Sequence, residues 1–514
     1  MNRCGSILLV LALFGTPLWA GKTESSGKAG LEKIRNYRKA HEQEIIKEFC
    51  QLLAIPNVAL DKENILKNAV FIKTMLEKRG VQTQVLPTPG NPVVFGELKV
   101  KNATETMLFY IHYDGQPVDP SQWTDSLPYA PVLRPGKLAA GATTPQPIPF
   151  PGKNEHFEDN WRLYARSTSD DKAPLIALLT AIDALKATGF PLKKNIKFIL
   201  DGEEEAGSPS LPFFLNQYKD LLTCDVLLMC DGPTYYSGDP TLVYGVRGVI
   251  SFSITVYGPD TSLHSGHYGN WAPNPALHLA QLLASMKDKN GKITINGFYD
   301  TMVPLSEREK EALKALPRYD DVLEKQYAFS EAESGDMPLM EAILYPSLNI
   351  NGLQSGYVGK QSSTIIPATA YASLDIRLVK GNDPTDMIQK VKDHIISQGY
   401  YVTETEPDRE TRLKYPLIAK FRLEDKGYRA SRTSMDLPIS KNIISALNRF
   451  SHKRVVLIPT LGGSLPVYIF EDTLHVPVIG VPIANYDNNQ HQQNENIRIG
   501  HLWQAIETFS ALLF

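Results

Sequence analysis

The sequence predicts an α/β fold in which a helix-covered, mostly parallel sheet is split by a smaller α+β unit. Three observations predict it. Short apolar runs alternate with helically periodic segments up to about residue 240, strict apolar–polar alternation replaces them at 245–258, and apolar runs return from about Lys420. Residues 21–243 and 417–514 therefore read as two parts of one domain, with 244–416 inserted between them. At 514 residues the chain is too long for a single core.

The first twenty residues stand apart. Arg3 precedes the apolar stretch SILLVLALF, Pro17 follows it, and Ala20-Gly21 offers small residues for cleavage, which is a secretory signal pattern. The stretch is too short to cross a bilayer. The mature chain is expected to be secreted or periplasmic, with no membrane span. Next, residues 65–80 and 173–189 carry apolar residues at helical spacing, each closed by a Gly suited to a helix end. MLFYI (107–111), IKFIL (196–200) and DVLLMCD (225–231) read as buried strands, and strands alternating with helices argue for a parallel sheet. Within 245–258, Ile250, Phe252, Ile254 and Val256 alternate with Ser251, Ser253 and Thr255, the mark of a sheet with one wet face. NPALHLAQLLASM follows, with Asn274 as cap and Pro275 at the first helical position. A second alternating strand, SLDIRLV (373–379), precedes the helix DPTDMIQKVKDHIISQG. The Pro- and Gly-dense stretch 134–159 is a long irregular loop.

Composition narrows the function. A net charge of −3 provides no polybasic surface, so neither nucleic acid nor an anionic membrane is an expected partner. Once the leader is removed, Cys50, Cys224 and Cys230 remain. The last two flank one strand, roughly 20 Å apart, beyond the about 7 Å that a disulfide spans. No disulfide framework is expected.

Chemistry gathers where the apolar strands end. MLFYI runs into His112 and Asp114; IKFIL runs into DGEEEAGS, with Asp201, Glu203, Glu204 and Glu205; DVLLMC ends at Asp231. Asp170 and Asp171 stand just before a helix, and His491 follows the apolar run VPVIGVP. Taken singly, each has an ordinary reading: a Glu run is a solvated face, and an Asp before a helix caps it. Five such clusters at one sheet edge do not, because strand carboxyl ends are where open α/β sheets collect ligands. Carboxylates gathered there raise one another's pKa unless a cation sits among them. Two histidines with several carboxylates and no paired cysteine suit a hydrolytic zinc pair rather than a closed structural site. His112 is then a metal ligand, and Asp114 the partner that fixes its tautomer.

These motifs resemble those of the dinuclear-zinc metallopeptidases that include carnosinase, the non-specific dipeptidases, aminoacylase, glutamate carboxypeptidase and succinyl-diaminopimelate desuccinylase. The resemblance runs from about residue 30 to the end, and five separately spaced motifs appear in family order. It implies a zinc-peptidase catalytic domain interrupted by a ferredoxin-like dimerisation or lid domain, two zinc ions per subunit with manganese or cobalt as substitutes, and a homodimer. It further implies His112, Asp170, Glu205, Asp231 and His491 as ligands, with Asp170 bridging both ions. Asp114 would orient His112, and Glu204 would be the general base. His264, in LHSG, would reach into the neighbouring subunit's site, while Arg377 and Gly462-Gly463-Ser464 would hold the substrate's carboxylate end. Strand alternation independently sets Arg377 on the polar face with Ser373 and Asp375.

The chain departs from the family pattern at Ala165, Ser167 and Ala173, where glycines are usual, and at Asp201, where Glu is usual. None of these removes a ligand. The 134–159 loop resembles an insertion between the first two metal motifs and is expected near the site's mouth. The implied reaction is hydrolysis of the amide bond of dipeptides or small peptides, with Glu204 taking the attacking water's proton and passing it to the leaving amine. An N-acyl-amino-acid amidohydrolase would use the same machinery. A non-catalytic binding domain on this scaffold would have lost ligands, and a zinc store would leave Glu204 without a task.

Overall fold

The computed structural model describes residues 20–125, 127–138, 145–451 and 453–514, and only the backbone of 20–29. The leader expected at 1–20 lies outside the described residues except for Ala20, where a helix begins, and residues 139–144 of the Pro-rich loop lie outside them too.

The main sheet has eight strands in the order Gln82–Leu86, Val93–Leu98, Asn195–Asp201, Thr106–His112, Val226–Met229, Val478–Gly480, Thr241–Val243, Val456–Ile458. The four central strands, from Asn195–Asp201 to Val478–Gly480, are parallel. They lack polar alternation because both faces are covered. Phe109, Ile111, Phe198 and Leu200 face the helices Lys172–Thr188 and Ile499–Leu513, whereas Leu108, Tyr110, Ile199 and Leu227 pack with Phe214 and Phe470 on the other side. Asp171 precedes the helix Lys172–Thr188 but makes no side-chain capping bond, and its carboxylate instead accepts the His112 N–H at 3.3 Å.

The inserted unit is an antiparallel sheet built on Gly245–Tyr257, flanked by Thr369–Leu378 and Ile418–Tyr428. Helices Pro275–Met286 and Pro384–Ser397 cover one face, over Ile250, Phe252, Ile254 and Val256. Asn274 and Asp383 cap those helices by accepting the N–H groups of Ala276 and Asp386, both at 3.0 Å. The expected return to the first domain at residue 417 is too early. Ala419 pairs with Val256 and Phe421 with Ile254, so this sheet continues to Tyr428.

The Pro-rich loop does not gather at the site's mouth as a whole. Ile148 joins the core, Phe157 packs edge-on against Trp161 and Trp503, and the Phe157 N–H donates to buried Glu42 at 3.1 Å. Apolar residues within the loop draw it over the helices instead. Among the described residues of the loop, Lys137 reaches toward the sheet's carboxyl edge, where it pairs with Asp487 at 3.3 Å. Cys50, Cys224 and Cys230 are free thiols.

Candidate active site

Parallel register carries the sequence motifs to one place. His112 pairs beside Asp201 at the ends of adjacent strands, and Asp231 follows the next strand over. His112 Nε2 lies 2.9 Å from Asp170 Oδ1 and 4.0 Å from Asp231 Oδ2. His491 Nε2 lies 3.2 Å from Asp170 Oδ2 and 3.3 Å from Glu205 Oε2. The donors thus form two groups, His112–Asp170–Asp231 and Asp170–Glu205–His491, each with its donor atoms within 4.8 Å of one another. Asp170 belongs to both.

The electrostatics of this cluster suit cations. Burial, reinforced by Asp231, Glu205 and Asp170, pushes Glu204 up to about 8. Burial and Asp170 push Glu205 up to about 7 and Asp231 up to about 6. Burial alone would depress His112, but the Asp114 and Asp170 carboxylates outweigh it and hold the imidazole well above its ordinary value. Asp231 Oδ1 and Asp171 Oδ1 are buried with no hydrogen-bond partner. A crowd of carboxylates around two imidazoles, with orphaned oxygens, is the donor set that a pair of divalent cations would satisfy.

The acids of DGEEEAGS have separate tasks. Asp201 accepts from Tyr110 Oη at 2.9 Å and Ser208 Oγ at 2.7 Å, and Glu203 accepts the N–H groups of Asn91 (2.9 Å) and Ser210 (2.7 Å). Both are buried and structural. Glu204 and Glu205 turn to the cluster, and Asp114 sets them there. Its carboxylate oxygens accept the N–H groups of Glu204 and Glu205, each at 3.0 Å, while lying 3.4 Å from His112 Nδ1. Asp114 therefore orients more than the imidazole expected from the sequence.

Several supporting residues escaped the sequence reading. Glu495 is fully buried and accepts from Arg166 Nη1 (2.8 Å), from the N–H groups of Ser167 and Ser169 (2.9 Å each) and Asp170 (3.0 Å), and from Ser169 Oγ (3.0 Å). It pins the loop that carries Asp170. The only available signal was an acid among the amides of NNQHQQNEN. Asn57 Nδ2 donates to Ser167 Oγ at 2.8 Å and the Tyr113 carbonyl at 2.7 Å, joining the first two metal motifs. Ser167 itself has φ 61°, the left-handed conformation that explains the glycine usual there.

Arg377 Nη1 donates to Ser464 Oγ at 2.8 Å, and its Nε lies 3.3 Å from Asp375. Buried Arg247 stands opposite Ser464 in the strand pairing and donates to the Tyr345 carbonyl at 3.0 Å and Ser347 Oγ at 2.8 Å. Its Nε has no partner, and burial together with the Arg377 charge lowers its pKa to about 10. Two guanidiniums with one adjacent carboxylate leave positive charge beside the Gly462-Gly463-Ser464 strand. His264 is not brought to the cluster by its own chain. It is exposed at the start of the short helix Ser265–Tyr268, with Nδ1 accepting the Gly266 N–H at 3.0 Å and its ring 4.8 Å from that of His267.

Known proteins resemble this chain in sequence and fold. A family model described as a peptidase dimerisation domain matches residues 244–401. The human Beta-Ala-His dipeptidase is 26% identical, over 99% of this chain and 97% of the relative. A Cys-Gly metallodipeptidase of Saccharomyces cerevisiae is 25% identical, over 90% of this chain and 93% of the relative. Among solved structures, an M20 family metallo-carboxypeptidase from Sulfolobus solfataricus superposes with a TM-score of 0.67 at 29% identity, covering 91% of this chain and 98% of that one. Human carnosine dipeptidase 1 superposes with a TM-score of 0.66 at 23% identity, covering 94% and 98%.

Proposed function

The chain belongs to the M20 metallopeptidase family, and from that premise we propose that it is a dipeptidase, hydrolysing the amide bond of dipeptides and other very small peptides. The observation that carries the reading is Asp170, shared by two donor groups with Glu204 beside them. His112 and Asp231 would hold one divalent cation, Glu205 and His491 the other, and Asp170 both; zinc is the ion we assign, since imidazole and carboxylate donors suit it. Such a pair supplies a water of lowered pKa and a Lewis acid for the carbonyl.

The chain's own residues do the rest. Glu204 takes a proton from the attacking water and carries it to the departing amine, and Asp114 holds its backbone in place for both transfers. Arg377 and Ser464 receive the substrate's carboxylate. His264 supports the developing oxyanion from a partner subunit, in a homodimer formed through the inserted domain. The apolar leader at residues 1–20 supports export, which N-terminal sequencing of the protein recovered outside the cell would test.

The direct test is metal content measured together with activity on a panel of dipeptides and N-acetyl amino acids. We expect two metals per chain and turnover of dipeptides. Turnover of N-acetyl amino acids alone would replace the reading with an amidohydrolase, and a metal-loaded protein inert to both would overturn it.

A further inference from the structure

A cavity of about 640 Å³ adjoins the donor cluster, and its walls say what it would accept. Its lining includes Pro233, two residues beyond Asp231, Gln490 and Gln492, which flank His491, and Gly462, next to the Gly463-Ser464 step that meets Arg377. The cavity thus neighbours both the donor cluster and the cationic place for a carboxylate. In a dipeptide the C-terminal residue's amide nitrogen and Cα join the scissile carbonyl to the carboxylate, so that residue's side chain is the one that starts within reach of the cavity.

Four tyrosines, Tyr235, Tyr236, Tyr327 and Tyr486, line it. Tyr236 is the hub: its ring stacks on Tyr319 at 5.6 Å and lies 5.0 Å from Tyr486. Tyr327 lines the same cavity, and burial together with the phenols of Tyr327 and Tyr486 raises the Tyr236 pKa. Tyr327 and Tyr486 are nonetheless exposed, with ring surface available. The charged lining residues, Lys137 and Asp487, are bound to each other, and Asp487 is also held by Arg162 at 2.8 Å. With Asp487 bound by both Lys137 and Arg162, the lining charges already have partners, and the rings offer apolar surface on which a neutral ring can stack.

We propose that the cleft formed by Tyr236, Tyr327 and Tyr486 binds the side chain of the substrate's C-terminal residue and selects neutral aromatic ones. This specificity rests on the dipeptidase reading above.

The test compares kcat/KM for Ala-Tyr, Ala-Gly, Ala-Lys and Ala-Glu in the wild type and in Tyr327→Ala and Tyr327→Phe, an exposed helix-end position whose truncation spares the core. Ala-Tyr should exceed the others by about 10-fold or more, as pocket filling and ring stacking allow. Tyr327→Ala should remove about 10-fold from Ala-Tyr and leave Ala-Gly within about 2-fold, while Tyr327→Phe keeps the preference. A flat panel, a preference for Ala-Lys or Ala-Glu, or equal losses on Ala-Tyr and Ala-Gly would overturn the proposal. Should no dipeptide be cleaved, calorimetric binding of free L-tyrosine decides separately. Binding weakened by Tyr327→Ala upholds the cleft while the dipeptidase reading falls, and binding that is absent or indifferent to Tyr327 overturns the cleft.

Discussion

Glu495→Gln is isosteric, yet it should damage the site from beneath. In the native protein Oε2 receives Arg166 Nη1 and the Ser167 N–H, while Oε1 receives the N–H groups of Ser169 and Asp170 and the Ser169 hydroxyl. Every one of these partners except the hydroxyl can only donate. An amide offers one oxygen and one NH2 group, so whichever way it turns, at least two donors confront another donor. One orientation leaves the N–H groups of Ser169 and Asp170 unsatisfied and the other leaves Arg166 and Ser167, and in both buried Arg166 is deprived of its counter-charge. At about 1–3 kcal/mol for each buried group left unpaired, the cost is roughly 2–6 kcal/mol.

The chain can meet that cost by losing stability or by moving the 167–170 loop, and moving it displaces the one carboxylate common to both donor groups. Two assays cover the two routes: thermal unfolding of the metal-free protein, and metal affinity by competition with a chelator. We expect a midpoint lowered by several degrees, a metal affinity weakened about 10- to 100-fold as when other supporting hydrogen bonds of metal sites are lost, or both. An unchanged midpoint together with an unchanged affinity would refute the argument that Glu495 fixes Asp170.

Glu204→Ala should keep its metals and lose roughly 10²- to 10⁴-fold in kcat, whereas Glu205→Ala should lose metal, so elemental analysis alongside kinetics separates the two neighbours. Asp114→Ala should weaken metal binding about 10- to 100-fold and also lower kcat at saturating metal, since Asp114 holds the Glu204 N–H; full recovery of kcat by added metal would confine Asp114 to His112. Arg377→Gln should raise KM about 10- to 100-fold for a dipeptide and leave its C-terminal amide little changed, because a charge-assisted contact to a carboxylate is lost. Glu204→Ala and His264→Ala chains, each nearly inactive, should regain about a quarter of wild-type activity when mixed, because half the dimers are mixed and each of these has one intact site. No recovery with subunit exchange verified would remove His264 from the partner's site.

The sequence was legible where local pattern and chemistry coincide. Apolar runs broken by His112, Asp201 and Asp231 announce strand ends, and parallel register then brings those ends together without further information. Glu495, Asn57 and Arg247 were not legible, because each owes its role to a partner far away in sequence: Glu495 meets Ser169 across 326 residues, and Asn57 meets Ser167 across 110. Nothing local distinguishes a buried Glu495 from a solvated one. The domain boundary at 416 was a different failure, since its evidence was present. Ala419 and Phe421 face inward while Lys420 and Arg422 do not, the same two-residue period that marked 250–256. Tyr327 lies in the helix Asp320–Tyr327, whose eight residues are too few for a convincing period.

The two domains contribute unequally to the site, and the inequality bears on substrate length. Every proposed metal ligand, and Glu204, comes from the large domain: His112, Glu204, Glu205 and Asp231 from the ends of its parallel strands, His491 from the stretch after Val478–Gly480, and Asp170 from the loop that Glu495 holds. Arg377 comes from the inserted sheet, and Ser464, which it touches at 2.8 Å, comes from the returning part of the large domain. The carboxylate position is therefore built at the junction of the domains, and its geometry depends on their relative placement. A substrate carboxylate bound there adds an anion between Arg377, Arg247 and Ser464, strengthening a contact that already joins the two units. In the proposed dipeptidase reading that carboxylate belongs to the residue immediately after the scissile bond. A longer peptide would place an uncharged amide against two guanidiniums, forfeiting the charge-assisted contact. The proposed contact that supplies affinity would then also favour very short substrates over longer chains.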